Sequence, residues 1–482
     1  MKSTRLPELA CLTETALFSS TVKREVRLLL ALLLCGLLLT GCGGVTGSAN
    51  RDPGQNTGGG NIQAVNHVII MLQQNRTFDH YFGQMTAYRQ RNNIPIVSSD
   101  GRINDLSTGN FFNPVELIGP IPVAHSGSVC TETLSSDWAE SHKEMNLSNP
   151  SAAGPNAPMD GFAQTAFDVG LHALTQGITL TDQTGSRAMH YYDDSDLNYY
   201  YFMASNFAMS DALFTPLPSR FPNRLFLHAA TTQGHARGPN RQLTARTIWE
   251  SLDAAGLSWK IYMTDGLTYL EYFTYFNRPE TKARLVPLSE YFTDVQNGTL
   301  PAVALIEPGL FSGRDEHPSN FNPTDGTVSP ISVQTGAAFV ASLINALMVS
   351  PSWRDSVFFL AYDEGGGFFD HVPPISVPNP DGIPPQDLLP NDPVGDFTIT
   401  GFRVPNMVIS PFAKRNYVSH TPMDLTAYLK FIETRWGLPP LTARDAAMPD
   451  MTEFFDFTGV PWAIPPSPPA QNTNGACDFT RQ

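Results

Sequence analysis

Basic side chains are scarce in this chain: 30 Lys and Arg stand against 45 Asp and Glu, a formal net charge of −15 over 482 residues. Phosphate-backbone binding rests on clustered Lys and Arg, so this balance argues against nucleic acid as a partner. Long apolar runs are missing as well. The most apolar stretch, Leu28 to Leu39, is about a dozen residues where a bilayer span needs ~20, which disfavours an uncleaved transmembrane helix there. Cysteine is also rare, at five, and the placement of those five says more than their number.

Lys23-Arg24 and Arg27, the short apolar core and Leu39-Thr40-Gly41-Cys42 together read as a lipoprotein signal peptide spanning residues 1–41, within which the roughly twenty residues ahead of Lys23 suggest a misassigned start. Its removal takes away five positive and three negative charges, so the remaining chain carries −17 instead of −15. Cys11 and Cys35 leave with it, Cys42 takes the lipid that anchors the protein to a bacterial membrane on its exported side, and Cys130 and Cys477 remain. Two cysteines in an exported chain invite one disulfide; two unpaired buried thiols are the alternative. Residues 42–63, with Gly43-Gly44 and Gly58-Gly59-Gly60, read as a flexible tether, and residues 64–482 as the folded body with an accessory region near 137–180.

Short apolar runs at 67–72, 259–263, 303–306, 357–362 and 404–410 alternate with helical spacing at 247–255, 335–348 and 424–436. That alternation predicts an α/β fold, a mostly parallel sheet with helices on both faces. Such sheets bind ligands beyond the carboxyl ends of their strands. Two runs end in chemistry. Val357-Phe358-Phe359-Leu360-Ala361-Tyr362 leads into Asp363-Glu364-Gly365-Gly366-Gly367-Phe368-Phe369-Asp370-His371, and His67-Val68-Ile69-Ile70-Met71-Leu72 leads into Gln73-Gln74-Asn75-Arg76-Thr77-Phe78-Asp79-His80. Hard oxygen ligands at one sheet edge suit a divalent metal ion, whose identity the residues leave open. An exposed acidic turn is the plainer reading of Asp363-Glu364, and a turn residue that of Asn75. The glycine run lacks the Gly-Lys-Ser/Thr ending of a nucleotide phosphate loop.

Those two segments resemble the signatures of a bacterial phosphoesterase family that includes phosphatidylcholine-type phospholipases C and an acid phosphatase and is related to the alkaline phosphatases. Met159-Asp160-Gly161-Phe162, Phe221-Pro222-Asn223-Arg224-Leu225, Asp315-Glu316-His317-Pro318 and Ser419-His420-Thr421-Pro422 are similar to further family motifs in the same order, so that the likeness covers about residues 64–457. The resemblance implies an alkaline-phosphatase-like fold and metal-dependent displacement at a phosphate ester or phospholipid. Gln74, Asn75, Asp363 and Glu364 are then the implied metal ligands. His317, His371 and His142 are the implied proton-transfer or phosphate-binding residues, while Asp211 would support the site and His228 would be structural.

Two positions depart from the family pattern. Gln74 stands where the family has a ligating glutamate, which keeps an oxygen but loses a charge. Arg220 stands where it has the nucleophilic Ser or Thr, and a guanidinium has no hydroxyl to deprotonate. Three routes therefore stay open: Ser219 as nucleophile with Arg220 clamping phosphate oxygens, a metal-bound water, or a surface binding protein without turnover. Phospholipase C and acid phosphomonoesterase activities both remain open. Tyr191-Tyr192 and Tyr199-Tyr200-Tyr201-Phe202 fit helix packing into the core, with a face for a quaternary ammonium as the other reading.

Overall fold

Eight strands form one sheet, described by a computed structural model that covers residues 61–319 and 329–482. In chain order they are β1 (His67–Gln73), β2 (Ala208–Ser210), β3 (Trp259–Met263), β4 (Leu285–Pro287), β5 (Val303–Glu307), β6 (Ser356–Tyr362), β7 (Met407–Ile409) and β8 (Tyr417–Ser419). Across the sheet they run β8-β2-β7-β6-β1-β5-β3-β4. β7 is antiparallel to both neighbours while every other pairing is parallel, so seven strands share one direction. The expected signal peptide, most of the tether and Cys42 lie outside the described residues. The body is already built at Gln63, whose side chain accepts from Arg435 Nη1 at 2.7 Å, just ahead of the expected start.

Both faces of the sheet are covered. Successive strand residues point to opposite faces, yet Phe358 and Phe359 in β6, like Ile69 and Ile70 in β1, are all buried. Phe359 packs on Tyr428 and Phe431 of a flanking helix, Ala427–Trp436, with ring centroids 4.8 and 5.1 Å away. Five helices matter below: α1 (Phe78–Phe82), α2 (Trp138–Met145), α3 (Pro222–Ala229), α4 (Val333–Met348) and α5 (Ala427–Trp436). The strand expected over 404–410 is confined to β7. Pro405 has no N–H to donate, and the Asn406 side chain takes over the pairing, accepting from Ser210 N and donating to Ser210 O, both at 2.9 Å.

The region near 137–180 builds a smaller apolar cluster in which Met145, Met159 and Phe162 meet Phe369 and Phe402. Cys130 and Cys477 form a disulfide with their Cα atoms 5.0 Å apart. The chain on either side of that bond is bonded to its counterpart: Val129 N donates to Ala476 O at 2.9 Å, and the Glu132 and Gln482 side chains meet. Among the described residues no helix is long and apolar enough to cross a membrane.

Candidate active site

β1 lies between β5 and β6, and its register with β6 pairs Ile70 with Phe359 and Gln73 with Tyr362. Both strands therefore end at the same level, and the next residues, Gln74-Asn75 and Asp363-Glu364, emerge side by side. Asn75 turns the chain with φ 63°, a left-handed conformation that asparagine tolerates better than most residues. Its backbone N–H donates to Asp363 Oδ1 at 3.3 Å, and Asp363 N donates to Gln73 O at 3.1 Å. The glycine run answers to the same crowding. Gly366 has φ 67°, and a Cβ there would sit 2.5 Å from Asn75 O, so the run lets two loops touch and cradles no phosphate. Gln74, Asn75, Asp363 and Glu364 all line one cleft of ≈ 370 Å³ with His317, Ser219 and Arg220.

Burial raises the pKa of four carboxyl groups in and behind the cleft. Burial pushes Glu364 well above the usual carboxyl range, and neighbouring Asp363 adds to this. Asp363 itself is raised by burial against the pull of Arg224, whose Nε lies 2.8 Å from Asp363 Oδ2. Burial also raises Asp315 to about 7, and Glu144, behind Glu364, is pushed well up by burial and then by Glu140 and Glu364. In the same place Asn75 Oδ1 is a buried acceptor with no hydrogen-bond partner among the described residues. Buried acceptors are rarely left so. An orphaned amide oxygen beside two proton-hungry carboxyls is the donor set a hard cation takes, so these residues fit a divalent ion.

The Phe-Pro-Asn-Arg segment starts α3, with Pro222 at its first position, where a missing N–H is harmless. Asn223 points back: its Oδ1 accepts from Leu217 N at 2.8 Å and its Nδ2 donates to Ser219 O at 2.6 Å. This fixes the loop that carries Ser219 into the cleft. Ser219 is buried and its Oγ donates to Ala236 O at 2.8 Å. Arg220 projects outward and pairs with Asp137 at 2.7 Å.

Asp315-Glu316-His317 is held from below. Buried Glu316 accepts from the hydroxyls of Tyr81, Tyr200 and Tyr362 at 2.6–2.7 Å and from Gln73 Nε2 at 3.0 Å. In α4, Gly336 leaves room for it, since a Cβ there would lie 2.1 Å from Glu316 Cγ. Tyr192, Tyr199, Tyr200 and Tyr201 are thus core and fully buried, while Tyr191 and Phe202 are half-buried. His317 reaches the cleft; its ring Nδ1 lies 2.6 Å from Pro318 O, and burial lowers its pKa to about 4, so it is neutral at physiological pH.

His371 and His142 are not in the cleft, contrary to expectation. Beyond Gly367 the chain dives into the core at Phe368 and Phe369, and His371 comes out beside Asp79, 2.5 Å from its carboxylate, and Asn104. His142 lies one turn along α2 from Trp138, bonds to its carbonyl at 2.7 Å and lines a different hollow with Val394 and Phe397. Asp79, Asp370 and His371 have the spacing of a metal site, but Arg403 already binds both carboxylates at 3.0 and 2.8 Å. Asp211 stands apart as well, bonded to His420 at 2.7 Å, while His228 accepts from Trp249 Nε1 in the core.

Sequence reasoning missed Asp137, Arg237 and Tyr269 in the cleft wall. Asp137 caps α2, Arg237 lies in a loop and Tyr269 opens a single turn of 3-10 helix, and no sequence signal marked them. Arg224 did carry one, its place in the Pro-Asn-Arg motif.

Fold and cleft together define an α/β protein whose parallel strands end in a cleft lined by buried carboxyl groups. The chain belongs to the phosphoesterase family, whose model matches residues 65–439. It is 29% identical over 395 residues to non-specific phospholipase C4 of Arabidopsis thaliana, covering 76% of this chain and 65% of that one, a little under two thirds of the plant protein's length. It is 29% identical over 459 residues to phospholipase C B of Mycobacterium tuberculosis, covering 86% and 81%. Murine ectonucleotide pyrophosphatase/phosphodiesterase 5 matches 53% of this chain and 94% of its own with 12% identity and a TM-score of 0.31, a likeness too slight to bear on function.

Proposed function

We propose that the protein is an exported, lipid-anchored phosphoesterase of the phospholipase C type, which splits a glycerophospholipid into diacylglycerol and a phosphorylated head group. The observation that carries this reading is the pairing of β1 with β6, which brings an unpartnered Asn75 oxygen against Asp363 and Glu364 at the strand ends of a phosphoesterase-family chain. The Cys130–Cys477 disulfide supports an oxidising compartment. Gln74, Asn75, Asp363 and Glu364 would hold a divalent ion, which when bound neutralises phosphoryl oxygens and lowers the pKa of a coordinated hydroxyl.

The chain's own residues do the rest. Ser219 is the one aliphatic hydroxyl among the described residues lining the cleft, at the loop tip that Asn223 holds, and we assign it the nucleophile's role. To attack, its Oγ–H turns from Ala236 O and its proton passes to a neighbouring base as the Oγ–P bond forms and the P–O bond to the diacylglycerol breaks; the departing oxygen takes that proton, and water then hydrolyses the serine phosphodiester to free the phosphorylated head group. Neutral His317 accepts a hydrogen bond or proton on its ring rather than donating one as an imidazolium. Arg224 holds the Asp363 carboxylate in place and opposes the rise that burial gives its pKa. The hydroxyl's bond to a backbone carbonyl also motivates a second reading, a surface binding protein that has lost turnover.

The experiment is hydrolysis of phosphatidylcholine and of a chromogenic phosphomonoester by wild type and Ser219→Ala, with divalent metals supplied. Loss of about 10³-fold or more in kcat is expected for the variant. A loss under tenfold refutes Ser219 as nucleophile, monoester turnover without lipid turnover selects the phosphatase, and inactivity of the wild type selects the binding protein.

A further inference from the structure

On the assumption that the cleft is the phosphoesterase site, its mouth has a second set of groups that the displacement does not use. Arg220 Nε lies 2.7 Å from Asp137 Oδ1, and Arg237 Nη1 lies 4.0 Å from the other oxygen of the same carboxylate. One carboxylate thus sits between two guanidinium groups at the entrance. Arg220 is anchored on one side only and its side chain is 55% exposed. Arg237 is held in place by Asp392, 2.8 Å from Nη2, and its Nε is buried without a hydrogen-bond partner among the described residues. A buried guanidinium N–H left unpaired is a donor awaiting an acceptor. The aromatic surface nearby is already taken, because Arg224 stacks 4.8 Å from the Tyr269 ring and Phe221 packs on Tyr269 at 5.2 Å.

We infer that Arg220 and Arg237 form a subsite for a second anionic group carried by the substrate's head group, and that Asp137 fills this subsite when no substrate is bound. The substrate class is then a phosphoester whose alcohol portion bears its own phosphate or carboxylate, rather than one bearing a quaternary ammonium. Two guanidinium forks recognise such oxyanions by paired N–H bonds that a cationic head group cannot accept. The same chemistry comes from a lipid head group or from a soluble bisphosphate. Asp137 acts as a competitor: the incoming anion displaces its carboxylate, which swings toward solvent from a side chain already 35% exposed.

The test uses the folded, metal-supplied protein and the ratio of kcat/KM for phosphatidylinositol 4-phosphate to that for phosphatidylcholine, both diluted in neutral detergent micelles so that surface charge stays constant. Arg237→Gln should lower this ratio about tenfold and Asp137→Asn should raise it about threefold or more. A ratio that neither variant moves overturns the inference, as does a wild-type preference for phosphatidylcholine. A soluble arm measures binding of inositol 1,4-bisphosphate by calorimetry. Tighter binding by Asp137→Asn and weaker binding by Arg237→Gln uphold the subsite even if no lipid is hydrolysed, in which case the esterase reading alone has failed. Binding unaltered in both variants, with their circular dichroism intact, overturns the subsite.

Discussion

Replacing Asn75 with glycine separates the cost of an empty donor set from its use. In the absence of a cation the buried Asn75 Oδ1 has no partner, and an unsatisfied buried acceptor costs about 1–3 kcal/mol. Glycine removes that oxygen and suits the φ of 63°, which contributes a few tenths more, at most ~1 kcal/mol. Against this stand about 0.5–1 kcal/mol of added backbone entropy in the unfolded chain and a similar loss of packing. The net expectation is a gain of about 1 kcal/mol in chelator. For 482 residues the unfolding entropy makes ~1 kcal/mol equal to ~1 °C in Tm, which differential scanning calorimetry reads. With metal at a hundred times its Kd, the wild type gains about 2.7 kcal/mol by linkage, roughly 3 °C. A variant that binds about a hundredfold more weakly gains under ~0.5 kcal/mol. The order of stability should therefore invert: Asn75→Gly above wild type in chelator, below it in Mn²⁺, Ca²⁺ or Mg²⁺. If the variant is the less stable protein in chelator, or if metal raises both equally, the assignment of that oxygen to a cation is wrong.

Arg224→Gln leaves Asp363 and Glu307, 2.8 and 3.7 Å from the guanidinium, without their buried counter-charge, and should destabilise the chelated protein by about 3–5 kcal/mol in urea unfolding. A loss below ~1 kcal/mol would show that the carboxyls are already protonated there. Asp182 tests a second ion pair, one that does not line the cleft. Burial raises its pKa, but Arg187 at 3.0 Å and several N–H donors outweigh that and hold it at about 2. Because the folded value lies below the ordinary aspartate value of 3.8, the stabilisation is present above about pH 4 and disappears as pH falls through 2, about 2 kcal/mol in all. Asp182→Asn should flatten acid unfolding over that window by this amount; an unchanged pH slope refutes it.

The central strands were legible because β1, β5 and β6 are buried on both faces, which leaves continuous apolar runs in the sequence. β2, β4 and β8 were not, since three residues carry no period. At the site, the residues directly after a buried strand were well placed by register alone, as Asn75, Asp363 and Glu364 show. His371, seven positions past Glu364, was not: three glycines and two buried phenylalanines lie between, and nearness in sequence says nothing about direction once the chain turns. His142 failed for a similar reason, because Asp137 at the start of its helix faces the cleft while the ring one turn on faces away.

Cys130 is bonded to the far end of the chain only six positions before Ser136, whose hydroxyl donates to Glu364 at 2.6 Å. The last residues are therefore a splint for the segment that presents Ser136 and Asp137. Trimming the chain after Ala476, by a protease or in an expression vector, would remove Cys477 and the Gln482 clasp together. Damage from that cut would be felt at the mouth of the cleft, hundreds of positions upstream, before it was felt in the sheet.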